Sequence, residues 1–272
     1  MNFKKKLDKI IAKSNSLLSI GLDPELSKIP KSLLSLEDPL FQFNKAIIDA
    51  TFDLVCVYKP NTAFYEAYGI EGIESLKKTI EYIKTSYPEI PIIADAKRAD
   101  IGRTSEKYAK SVFDYFGCDA VTVNPYLGLD SIEPFLKYED KGIIVLCRTS
   151  NPSASDFQDL MIGNNPLYIH VAKKVVEWDK KYHNCLMVVG ATWPEQLKEI
   201  RKIAPGMFFL VPGIGSQGGD LKKTLHYGLT NSRSGLIIHS SSAIIYASSE
   251  NDFAQKAREA AKTLRDEINK ER

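Results

Sequence analysis

The feature that most constrains the fold of this chain is an alternation. Short runs rich in Val, Ile and Leu recur at 17–22, 55–59, 92–97, 120–124, 142–147, 186–190, 208–212 and 235–239. Segments with helical periodicity lie between them, near 40–52, 71–86, 103–116, 130–138, 165–181, 194–203, 218–226 and 252–270. Parallel strands covered on both faces read as continuous apolar runs, and each parallel neighbour needs a crossover long enough for a helix. Eight such units favour an α/β fold closed into a TIM (β/α)8 barrel over an open sheet, and 272 residues suit one such domain, 1–272. No linker or tandem repeat interrupts the pattern.

Composition narrows the function classes. Lys and Arg exceed Asp and Glu by only two (36 against 34) and are spread along the chain, so no basic stripe for nucleic acid is expected. The lysines at 4, 5 and 6 resemble the start of a secretory leader. Asp8, Lys9 and Lys13 interrupt any apolar stretch after them, which predicts an amphipathic N-terminal helix leading into the barrel. No run approaches the ~20 apolar residues a membrane span needs, so a cytoplasmic protein without membrane contact is expected. Cys56, Cys118, Cys147 and Cys185 are far apart, which predicts buried reduced thiols. His170, His183, His226 and His239 show no metal-ligand spacing, so no metal site is expected.

The candidate chemistry sits where strands end. In Ile92-Ile93-Ala94-Asp95-Ala96-Lys97, period-two alternation places Ile93, Asp95 and Lys97 on one face. Val55, Val57 and Lys59 share a face of the second strand, and the first ends in Gly21-Leu22-Asp23-Pro24. Each residue alone reads equally well as a solvated strand end or part of an ion-pair layer. Three consecutive strands ending in charge point instead to a built network, because burying charges is costly unless they are paired.

Two loops stand out. The stretch 149–164, rich in Ser, Asn and Pro, follows the fifth strand, so it belongs to the face where barrel enzymes keep their active sites. Val211-Pro212-Gly213-Ile214-Gly215-Ser216-Gln217-Gly218-Gly219 leaves the seventh strand with glycines that let backbone N–H groups approach an anion. Alone it reads equally well as a plain turn or a phosphate loop; its place after strand 7 favours phosphate.

The run Asp95-Ala96-Lys97-Arg98-Ala99-Asp100-Ile101-Gly102-Arg103-Thr104 resembles the signature of the orotidine 5'-phosphate decarboxylase family, in its longer type 2 bacterial group. Supporting segments follow in order: Gly21-Leu22-Asp23-Pro24, Lys59-Pro60-Asn61, Val123-Asn124-Pro125-Tyr126-Leu127-Gly128, Thr149-Ser150-Asn151-Pro152, Val188-Val189-Gly190-Ala191-Thr192 and the glycine-rich loop. The resemblance implies conversion of orotidine 5'-monophosphate to UMP, the last step of pyrimidine nucleotide synthesis, without cofactor. It implies that Lys97 protonates C6 of the pyrimidine, that Asp95 faces the substrate carboxylate and that Lys59 completes the charge network and contacts the ribose. It places Asp23 on ribose hydroxyls, Ser150 at the base edge, and Pro212 and Gln217 around base and phosphate. It also implies a homodimer in which Asp100 and Thr104 reach the partner's site.

One departure stands out. The family carries an arginine just after strand 8 for the phosphate, where this chain has Ser240-Ser241-Ser242, with Ser242 at the arginine's place; Arg233 precedes the strand. Ser241 and Ser242 are therefore expected to meet the phosphate. Two rival readings remain. Magnesium-dependent sugar-phosphate decarboxylases or synthases of the same superfamily carry a metal-binding Glu where Lys59 stands. A non-catalytic nucleotide-binding barrel is the other.

Overall fold

The computed structural model describes residues 1–214 and 218–272; the expected contact Gln217 lies outside them. Eight parallel strands carry the fold: β1 Leu18–Gly21, β2 Val57–Lys59, β3 Ile93–Arg98, β4 Ala120–Val123, β5 Gly142–Arg148, β6 Cys185–Val189, β7 Phe209–Val211 and β8 Leu236–Ser240. They pair in the order β2-β1-β8-β7-β6-β5-β4-β3. Bridges Tyr58–Ile92 and Asn61–Asp95 bring the two ends together, with Asp95 N donating to Pro60 O at 2.9 Å. The result is a nearly closed (β/α)8 barrel, whose strands β1, β4, β6 and β7 are buried along their whole length.

The principal helices are α1 Phe3–Ser14, α2 Pro39–Thr51, α3 Gly69–Ser86, α4 Gly102–Lys110, α5 Leu129–Leu136, α6 Leu167–Tyr182, α7 Pro194–Ile203, α8 Leu221–Gly228 and α9 Phe253–Glu271. Their boundaries fall within a few residues of the sequence periodicity. The segment expected as one helix over 103–116 is α4 continued by a π-helical turn, Ser111–Tyr115. The Thr149 loop is not structureless: a short helix Ser155–Gln158 and an antiparallel hairpin, Met161–Ile162 with Asn165–Pro166, fold within it.

Helix α1 closes the bottom of the barrel. It buries Phe3, Leu7, Ile10 and Ile11, and Asn2 caps it by accepting from Lys5 N. Phe3 N donates to Asp140 O, while Lys6 pairs with Asp119 in the loop that enters β4 and Lys4 with Asp179 in the last turn of α6. At the other side of the β1 strand, Phe253 of α9 stacks on Phe43 of α2, with ring centroids 5.2 Å apart. With the N-terminal end plugged, the C-terminal rim is the end left open to a ligand. All four cysteines are buried and unpaired.

Candidate active site

Asp95 is the centre of the open end. Lys59 Nζ donates to its Oδ2 at 2.5 Å, Lys97 Nζ to Oδ1 at 2.6 Å, and Thr122 Oγ1 to Oδ1 at 2.9 Å. Burial on its own raises the pKa of such a carboxyl. The two ammonium charges against it outweigh that effect, and Asp95 is held well below the usual carboxylate range. Two cations on one carboxylate leave the cluster with a net positive charge facing the cavity.

The three charged side chains differ in access. Lys59 is 3% exposed and Asp95 8%, whereas the Lys97 side chain is 49% exposed. Simple alternation along β3 does not deliver Lys97 to Asp95. The pairing of β3 with β4 shifts between Ala94 and Arg98, and Lys97 adopts a left-handed φ of 45°. That conformation is disfavoured for a residue with a Cβ and is retained where surroundings enforce it. Thr122 is one such enforcement, since its Oγ1 also accepts from Lys97 N at 3.0 Å.

Asp23, at the end of β1, is held without a cation: Oδ1 accepts from Asn61 N at 3.0 Å and Oδ2 from Ser241 Oγ at 2.6 Å. Tyr246 braces the same loop, donating its hydroxyl to Asp23 O at 2.8 Å and accepting from Glu25 N at 2.7 Å. His239 of β8 bonds Ser19 Oγ through Nδ1 at 3.1 Å. Burial, then the Lys59 charge, push its pKa well below the ordinary 6.5, so it is neutral at pH 7.

These groups line a cavity of about 620 Å³, within the size range of small-molecule sites. The structure brings Asp23, Lys59, Asp95, Lys97, Ser150, Pro212, Ser241 and Ser242 to it. Asp100 and Thr104 do not line it; they stand on the rim beyond β3, with Asp100 Oδ1 accepting from Ile101 N. Arg233 precedes β8 at the opposite end, where its carbonyl accepts from Arg272 Nε, so it is no substitute for a rim arginine. Among the described residues lining the cavity the only cations are Lys59 and Lys97.

Two contributors escaped the sequence reading. Thr122 sits in the apolar run Ala120-Val121-Thr122-Val123, where a threonine reads as a strand former. His239 reads as an isolated histidine, although its place near the end of the eighth strand was the signal available.

The chain matches known proteins over nearly its whole length. A family model described as "Orotidine 5'-phosphate decarboxylase / HUMPS family" matches residues 16–259. An orotidine 5'-phosphate decarboxylase of Cellvibrio japonicus is 53% identical over 271 residues, covering 99% of this chain and 98% of that protein. One of Flavobacterium johnsoniae is 54% identical over 263 residues, covering 97% and 96%. Among solved structures, OMP decarboxylase of Leishmania donovani superposes with a TM-score of 0.86 at 37% identity, covering 100% of this chain and 99% of that one.

Proposed function

This chain belongs to the orotidine 5'-phosphate decarboxylase family and converts orotidine 5'-monophosphate to UMP in pyrimidine synthesis, and we propose that Lys97 supplies the proton that replaces the departing carboxylate. The observation that carries this reading is the clasp of Asp95 between Lys59 and Lys97 at the cavity floor.

The chemistry demands such a cluster. When the bond from C6 to the carboxyl carbon breaks, carbon dioxide leaves and the electron pair stays on an sp² carbon that no neighbouring carbonyl relieves. A fixed ammonium beside C6 stabilises that charge and then forms the new C6–H bond. The amine left behind regains its proton from solvent, to which the half-exposed Lys97 side chain has access. Asp95 keeps Lys97 oriented and, in this reading, lies against the substrate carboxylate. Asp23 binds ribose hydroxyls, Ser150 the base edge, and Ser241, Ser242, Pro212 and Gln217 the phosphate end.

The working unit in this reading is a homodimer, with Asp100 and Thr104 serving the partner's site. Exposed Ile101, Tyr126 and Leu127 supply an apolar rim beside them, on segments joined by Asn124 N to Arg98 O at 2.9 Å. A cytoplasmic location is part of the same proposal, and no described helix is long and apolar enough to cross a membrane.

The metal-dependent alternative within the superfamily meets Lys59 where a cation-binding carboxylate is needed, already committed to Asp95 at 2.5 Å. The deciding experiment follows the ultraviolet absorbance of orotidine 5'-monophosphate after exhaustive EDTA treatment. Turnover without metal is expected; activity restored only by Mg²⁺ would overturn the lysine-centred reading.

A further inference from the structure

We propose that Arg148 is a positioning residue for the substrate, its buried guanidinium holding the segment that carries Ser150 against the cavity wall. The proposal rests on the reading of Ser150 as a substrate contact.

Arg148 ends β5, is 0% exposed and is not among the residues lining the cavity. The pairing of β5 with β6 shifts between Leu146 and Arg148. Leu146 lines the cavity, Cys147 Sγ turns outward to Tyr168 O, and the Arg148 guanidinium lies over the Trp193 ring, 4.3 Å from its centroid. From there Nη1 donates to Thr149 O at 3.2 Å and Gln158 Oε1 at 3.3 Å, and Nη2 to Asp159 Oδ2 at 3.1 Å. Gln158 closes the figure. Its Oε1 accepts from Thr149 N at 2.8 Å and its Nε2 donates to Thr149 Oγ1 at 2.8 Å.

Ser150 is therefore fixed from three directions. Thr149 before it is gripped by Gln158, and its own carbonyl accepts from Thr192 Oγ1 at 3.0 Å. Behind it, a Cβ on Gly190 would stand 2.7 Å from Ser150 Cα, so only glycine there leaves room for this seat.

A buried ion pair is a weak reason for an arginine, because desolvation offsets much of the attraction and apolar residues of like volume are often as stable. What the guanidinium adds is direction. Its planar fork has donors at fixed angles, and here they join the strand end to side chains 10 and 11 positions downstream. The rest of that loop is loosely anchored, with Phe157, Leu160, Met161 and Ile162 all more than half exposed. Loss of the fork should therefore blur Ser150 and weaken binding more than it weakens the fold.

The test compares Arg148→Met, Gln158→Leu, their double variant, Arg148→Lys and Ser150→Ala by steady-state kinetics, UMP calorimetry and thermal melting. Arg148→Met and Gln158→Leu are each expected to raise KM and the UMP Kd about tenfold, by more than kcat falls. The double variant should be no worse than the poorer single, as for residues acting in one network. Arg148→Lys should recover part of the loss, which a purely volumetric role would not give. An unchanged KM in folded Arg148→Met, or additive effects in the double, overturns the proposal. If Arg148→Met fails to fold, Arg148→Lys decides by the same criterion, since Gln158 itself lines the cavity. Should Ser150→Ala leave KM unchanged, the Ser150 contact and the proposal fall together; should it alone raise KM, only the positioning role falls.

Discussion

Two charged clusters sit at opposite ends of the barrel and are built on opposite principles. At the closed end Arg201 of α7 lies over Phe209, 3.7 Å from the ring centroid. It donates only to backbone carbonyls: Nε to Gly228 O at 2.8 Å, Nη1 to Ala204 O at 2.8 Å and Met207 O at 2.6 Å, Nη2 to Gly235 O at 2.9 Å. Burial lowers its pKa to about 10, so it stays charged at neutral pH. At the open end, two lysines share one carboxylate, one of them on a strained backbone and half exposed. The first arrangement gives each guanidinium nitrogen a rigid acceptor and ties the entrances of β7 and β8. The second leaves cationic charge in reserve at a cavity. Charge at the bottom is spent on the fold, and charge at the top is kept for a ligand.

The sharpest break of that contrast is Lys97→Gly. Glycine accepts the φ of 45° without strain, so melting should shift by less than about 1 kcal/mol in stability. Turnover should fall by at least about 10³-fold, since the proposed proton donor and its charge are lost together. A variant that melts far earlier, or that retains turnover, would show Lys97 to be a structural ion. Arg201→Met is the mirror experiment. It removes four hydrogen bonds, leaving Ala204 O and Gly235 O with Met207 N and Phe209 N as donors but taking from Gly228 O and Met207 O the guanidinium that served them. It should destabilise by about 3–5 kcal/mol in chemical denaturation, while kcat of the remaining folded protein is unchanged. A large loss of kcat with intact stability would erase the distinction between the two ends.

Acid sensitivity should belong to the open end. His239 has its folded pKa far below 6.5. Below pH 6.5 the unfolded chain takes up a proton that the folded one refuses, so stability falls as pH falls, by up to about 1.4 kcal/mol per pH unit. Asp95 behaves differently: its pKa is lowered on folding, so its contribution is full above the unfolded carboxyl value near 4 and is lost only as pH falls below that. Denaturant titrations at pH 7 and pH 5.5 on the parent and His239→Gln would test this. The variant should lose about 1 kcal/mol less on acidification, and equal losses would place the sensitive group elsewhere.

The barrel was legible because its signal is collective: eight apolar runs separated by helical periods leave few other architectures. The charged floor was legible because Asp95, Lys97, Lys59 and Asp23 all fall where strands end. What alternation could not supply was the path of Lys97, which reaches Asp95 through a left-handed residue and a register shift rather than by sharing a regular face. The hairpin at Met161–Pro166 was invisible for a related reason, since two-residue strands show no period. Arg201 reads as polar surface on an amphipathic helix, and only the folded neighbours show its carbonyls converging. A lone tryptophan such as Trp193 reads in sequence as ordinary packing, and only the fold shows it as the platform for Arg148.

An effect of similarly modest size belongs to the place where the open end has hydroxyls. Ser240 ends β8, Ser241 and Ser242 follow it, all three line the cavity, and Asp23 already holds Ser241 at 2.6 Å. Ser242 is exposed and starts the short helix Ser242–Ile245, so an arginine fits there without displacing a buried group. A guanidinium can grip a phosphate through two parallel bonds, and a hydrogen bond to a charged group is worth about 1.5–3 kcal/mol. Asp23 and Glu25 line the same cavity and compete for it, so the lower end of that range applies. Ser242→Arg should therefore tighten UMP about tenfold by calorimetry and leave uridine unchanged. Equal tightening of both ligands would mean the arginine touches base or ribose; no tightening would mean that it pairs with the carboxylates instead. Only the UMP-specific gain fits a phosphate seated at the ends of β7 and β8, and it would extend the contrast with Arg201 to a charge placed at the open end purely for a ligand.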